Sequence, residues 1–247
     1  MASGNTVAAQ ASDLLTRIEN GGTVSIATEG TYVPFTYHDE TGKLTGYDVE
    51  VARAVADRLG FKIEFRETSW DSMLAGLKAG RYDLVANQVS LTTPERRATF
   101  DKSENYNYSG PMVLTHRDGP VFQDIKEIKG LKAAQTLSSN YGELARDNEA
   151  VIVPVDGMAQ ALTLLNQKRV DLTINNSLAL LDYLNTHPNA SLQIAWRSSE
   201  KNGAGFVANK GQEDALAKIS EAVRSLREDG TLKKLSIQFF GEDVSVE

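Results

Sequence analysis

Just past the run Leu84-Val85-Ala86-Asn87-Gln88, the chain reads Ser90-Leu-Thr-Thr-Pro-Glu-Arg96. An apolar run ending in amides reads as a strand opening into a loop, and Arg96 stands a fixed reach beyond its mouth. The planar fork of arginine holds a carboxylate bidentately, so a strand end offering loose backbone amides, the Ser90 hydroxyl and Arg96 suits a small anion. The same residues carry a second reading: Thr93 as a helix cap, Pro94 at the first helical position and Glu95 in the first turn. The sequence leaves both open.

Other residues of the right chemistry fall at similar places. Tyr32 lies in the loop after the strand Val24-Ser25-Ile26-Ala27, with Glu29 beside it, and Trp70 opens a helix after the strand ending at Phe65. Flat rings at such edges can cover an aliphatic or sulfur-bearing group, although Trp70 also reads as a plug at a helix start. The segment Leu137-Ser138-Ser139-Asn140-Tyr141 places hydroxyls and an amide at another helix start. Free N–H groups and the helix dipole favour an anion there, and simple capping by Ser138 or Ser139 explains the same pattern.

The elements that must position these residues alternate. Val51, Val55 and Leu59 form a helical stripe closed by Gly60; Phe61, Ile63 and Phe65 alternate with charged residues as a half-buried strand; a helix follows from Ser69 to Gly80, then the strand Tyr82–Ala86. Strand, helix, strand predicts a mainly parallel sheet flanked by helices. An internal echo doubles this unit. Leu74, Leu77, Arg81, Asp83-Leu84 and Asn87 recur 88 residues later as Leu162, Leu165, Arg169, Asp171-Leu172 and Asn175 (162 − 74 = 88). Two similar α/β lobes imply a cleft, with Asn87-Gln88 and Asn175-Asn176 at the carboxyl ends of the echoed strands, where open α/β sheets bind ligands. Met112-Val113-Leu114 reads as a strand crossing to the second lobe and Ala204–Ala208 as one crossing back, with pivots near Ser109–Thr115 and Gly205–Lys210. The division is then lobe 1 at 22–112 and 207–247, lobe 2 at 113–206, and an N-terminal extension at 1–21.

Composition narrows the function. Twenty-six basic against 33 acidic residues give a net charge of −7 with no basic cluster, which argues against nucleic acid and anionic membranes as partners. No cysteine is present, so thiolate catalysis and cysteine metal sites are excluded. His38, His116 and His187 stand far apart, and no nucleophile elbow, phosphate loop or zinc-protease signature occurs. No metal, no cofactor and no catalytic residue are expected. The first ten residues have neither a basic leader nor an apolar stretch, as in a chain whose signal peptide is gone.

Glu29-Gly-Thr-Tyr32-Val-Pro-Phe35, Leu44-Thr-Gly-Tyr-Asp48-Val-Glu50, Ser90–Arg96 and Arg227-Glu-Asp-Gly-Thr-Leu-Lys-Lys-Leu235 together resemble the periplasmic solute-binding proteins of ATP-driven polar amino-acid importers. Gln135–Tyr141 and Asn202-Gly-Ala-Gly205 look most like the cystine-binding branch. The resemblance implies a two-lobed periplasmic-binding-protein fold with two hinge strands, closing over one amino acid and serving an inner-membrane permease. It also implies a monomer, free in the periplasm or lipid-anchored outside the cytoplasmic membrane. By position, Arg96 and the amides of Ser90 and Asn140 would bind the α-carboxylate. Tyr32 and Trp70 would pack on the ligand's side chain and Glu29 would flank it, with Asn87, Ser139 and Tyr141 also among the ligand-binding residues. The Gln88 backbone, the Ser90 hydroxyl and a lobe 2 acid would take the ammonium. The chain departs there: Asn176 stands where the family has aspartate, and Asn105 where it usually has proline. Other classes consistent with the scaffold are a dehydratase of cyclic acids and a receptor's sensing domain.

Overall fold

The computed structural model describes residues 11–247; the first ten residues of the expected extension lie outside the described residues. Its remainder is folded. Ser12 accepts from the Leu15 N–H to cap the helix Asp13–Glu19, and the i, i+4 pair Leu14 and Ile18 is buried in the first lobe's core. Asp214 anchors this cap, accepting from the Ser12 N–H at 2.8 Å and hydroxyl at 2.7 Å. The helix Asp13–Glu19 therefore packs on the first lobe through Leu14 and Ile18.

Two five-stranded sheets form the lobes. The first runs Lys62–Glu67, Thr23–Thr28, Leu84–Val85, Val207–Asn209, Phe100–Lys102; the second runs Val151–Pro154, Lys132–Gln135, Leu172–Asn176, Pro111–His116, Leu192–Arg197. In each, three parallel strands joined by helices are followed by one that runs the opposite way and a fifth that runs with the first three, so the sheets are mixed rather than simply parallel. The echo is structural. Asp83 accepts from the Ser25 N–H at 2.9 Å and Asp171 from the Lys132 N–H at 2.8 Å, each carboxylate standing just before its own strand and tying it to the parallel neighbour.

Each lobe buries its own helix–sheet core. In the first, Val51 and Val55 from the helix Tyr47–Leu59 meet Ile26, Leu84 and the helix Glu213–Glu228; in the second, Leu162 and Leu165 pack on Met112 and Leu114. The chain passes between lobes along an antiparallel pair, Asn107–Ser109 with Asn202–Ala204. The expected pivots lie just beyond this pair. Met112–Leu114 sits within the second sheet and Val207–Asn209 within the first, because those apolar residues are needed to fill the two cores.

Candidate functional site

The site begins at the first lobe's strand ends. After Thr28, the loop folds on Thr36, whose hydroxyl oxygen accepts from the Gly30 N–H at 3.0 Å. Gly30 has φ of +73°, a backbone that strains other residues, and a Cβ there would displace the Glu67 carboxylate, so glycine suits this turn. The turn aims Glu29 inward. Asn87 holds it at both ends, accepting from its N–H at 2.9 Å and donating to its carboxylate at 3.2 Å. Burial pushes the Glu29 carboxyl up to about 7, against the Asn87 bond, with Asp71 adding a smaller upward push.

Gln88 takes the left-handed region, φ 54°, rare for a side chain with a Cβ. A buried acid holds it there. Asp48 accepts from the Gln88 N–H and Nε2, both at 2.8 Å, and from the Tyr106 hydroxyl at 2.5 Å. Burial lifts Asp48 to about 6, and these bonds oppose that rise.

The helix-start reading of the Thr93–Arg96 segment holds. Thr93 caps the helix Pro94–Thr99 by accepting from the Arg96 N–H, and the Arg96 side chain turns into the protein. Its guanidinium donates to the carbonyls of Ser90 at 3.2 Å and Ser138 at 2.9 Å, and no carboxylate among the described residues pairs with it. It is 9% exposed. Burial therefore makes protonation less favourable, offset in part by Glu143 and Tyr141. A desolvated guanidinium satisfied only by neutral carbonyls favours an anion strongly.

Across from it, Ser139 caps the helix Asn140–Asp147, its hydroxyl accepting from the Gly142 N–H at 3.0 Å. Asn140 and Tyr141 form the first turn. Burial raises the Tyr141 phenol to about 12, so it stays a neutral hydrogen-bonding group.

A cavity joins these walls, lined from the first lobe by Glu29, Tyr32, Trp70, Asn87, Gln88 and Arg96 and from the second by Ser139, Asn140, Tyr141 and Asn175. Ser90 and Asn176 are not on it. They line a smaller adjoining cavity that shares Gln88, Asn140 and Tyr141 with the larger. Asn176 caps the helix Ser177–Thr186 by accepting from the Leu178 N–H at 2.9 Å, and donates to the Ser109 hydroxyl at 2.7 Å. Asn175, which the sequence placed at a strand end, accepts from the Tyr32 hydroxyl across the cleft, while sequence reasoning missed the apolar wall of Val155, Met158 and Ala161. The strand-end rule could have found the latter, since they follow the strand Val151–Pro154.

A family model for bacterial extracellular solute-binding proteins, family 3, matches residues 24–242. The chain belongs to that family. It is 46% identical to the L-cystine-binding protein TcyA of Bacillus subtilis, over 94% of this chain and 87% of that protein. The unliganded, open L-cystine solute receptor of Neisseria gonorrhoeae is 59% identical, covering 96% of this chain and 100% of that one, with a TM-score of 0.66. An ancestral arginine-binding protein holding arginine is only 29% identical, over 89% of this chain and 99% of that one, yet scores 0.82. The family-3 chain is thus arranged more like the ligand-bound relative than the open one. Hydrogen bonds from Tyr32 to Asn175 and from Arg96 to Ser138 span its lobes accordingly.

Proposed function

We propose that this solute-binding protein captures cystine, or a similar amino acid, between its lobes outside the cytoplasmic membrane, and hands it unchanged to the permease of an ATP-driven importer. The observation that carries this reading is Arg96, a buried cation with no carboxylate partner among the described residues, facing the cavity between the lobes. In this reading it anchors an α-carboxylate, with the Ser90 and Asn140 amides beside it. The rings of Tyr32 and Trp70, with Met158, cover the apolar middle of the ligand. Glu29 meets a second ammonium, as the far half of cystine provides. The protein acts as a monomer and needs no cofactor.

A thermal-shift screen of the amino acids and L-cystine tests this, because a ligand at a hundredfold excess over its Kd stabilises by about 2.7 kcal/mol. The largest shift should come from L-cystine; a flat response to all of them overturns the reading. One observation favours a second class. A carboxyl held near 7 in a cleft, as Glu29 is, suits a general acid, and turnover of a cyclic acid would mark a dehydratase instead.

A further inference from the structure

Ser138 points all of its polar groups at the other lobe. Its N–H at 3.1 Å and its hydroxyl at 2.6 Å both donate to Oδ1 of Asp71, and its carbonyl accepts from Arg96 at 2.9 Å. Asp71 is the second residue of the helix Trp70–Lys78, and Ser138 directly precedes the cap of the helix Asn140–Asp147. Neither residue lines the cavity, yet each is covalently next to one that does, Trp70 on one side and Ser139 on the other.

We propose that Asp71 and Ser138 are positioning residues forming a rim latch, which holds the second lobe's helix start over the Arg96 clamp and sets how long a captured ligand stays. This rests on the proposed function, since it is the capture step that the latch serves. The two residues lie in different lobes, so their bonds form when the lobes close and return to water when they part. An interaction present in only one of two states shifts the balance between them by its whole strength. Bonds to a charged acceptor are stronger than neutral ones, which makes Asp71 the more consequential partner. The effect falls on release rather than capture, because encounter with the open cleft precedes the contact.

The experiment is stopped-flow binding of L-cystine to the full chain and to Asp71→Ala, Ser138→Ala and the double variant. Asp71→Ala should raise koff about tenfold and Ser138→Ala about threefold, with kon and the ligand-free melting temperature essentially unchanged. The double variant should match Asp71→Ala within about twofold, a non-additivity that separate structural roles would not produce. An unchanged koff in Asp71→Ala overturns the latch. If L-cystine fails to bind the parent, the ligand assignment is what has failed. Repeating the stopped-flow measurement with the amino acid that gives the largest thermal shift then decides: faster release from Asp71→Ala supports the latch, and an unchanged koff overturns it.

Discussion

The Arg96 guanidinium carbon lies 5.5 Å from the ring centroid of Trp70, so a cation covers one face of the indole at the cavity wall. The contact fixes the plane of the fork and lends it some cation–π stabilisation. It leaves the desolvation of the charge largely uncompensated, as the lowered proton affinity of Arg96 records. Arg96→Met should therefore abolish tight amino-acid binding while leaving the ligand-free protein as stable as the parent or more so. Losing one partner of a buried charge pair costs roughly 2–5 kcal/mol, about thirtyfold or more in Kd. Calorimetry together with ligand-free melting checks both halves; undiminished affinity would remove Arg96 from the anchor role.

Glu29 makes stability fall as pH rises. Its folded-state value of about 7 lies above the ordinary 4.5, so the folded protein holds this proton more tightly than the unfolded chain. The resulting stabilisation is complete below about pH 4.5 and is lost as pH rises through about 7. Glu29→Gln keeps the acceptor for Asn87 and removes the titration. Ligand-free melting should show the variant equal to the parent at low pH and more stable at pH 8, on the order of 2–3 kcal/mol, since each tenfold difference in proton affinity between folded and unfolded chain is worth about 1.4 kcal/mol. A difference between variant and parent that does not change with pH would mean that Glu29 titrates alike in both states.

Asn176→Asp should fold normally, since aspartate caps a helix as well as asparagine does and can accept from the Ser109 hydroxyl. It would add a negative charge to the cavity that holds Ser90 and the Tyr141 wall. Charged hydrogen bonds contribute roughly 1.5–3 kcal/mol against about 1 for neutral ones, so the variant should bind an α-amino acid about two- to thirtyfold more tightly. Calorimetry with equal or weaker binding would place the ammonium elsewhere.

Asp48→Ala should be strongly destabilising. It strips the acceptor from the Gln88 N–H and Nε2 and from the Tyr106 hydroxyl, each costing about 1–3 kcal/mol if left unpaired. Urea unfolding should show a loss of about 3–5 kcal/mol, part being recovered where water or Asn107, already bonded to Gln88 Nε2 at 2.8 Å, substitutes. A loss below about 1 kcal/mol would mean that Gln88 holds its left-handed backbone without help.

Features with local causes were legible in the sequence. The caps Thr93 and Ser139, the stop at Gly60, the apolar stripes and the 88-residue echo depend on contacts within a few residues, or on a unit used twice. For the same reason Arg96 and the strand-end amides could be picked out, because strand-helix alternation by itself places them at one edge of a sheet. Only the tertiary structure decided which residues face the cavity. Asn175 and Asn176 are neighbours on a strand whose side chains alternate, so one turns to Tyr32 across the cleft and the other to the hinge and its helix cap. The crossing at Asn107–Ser109 and Asn202–Ala204, the folding of Leu14 and Ile18 into a core built from distant strands, and the meeting of Asp71 with Ser138 join residues tens to hundreds of positions apart. Local pattern carries no record of such partners, because burial and lobe closure, acting on the whole chain, bring them together.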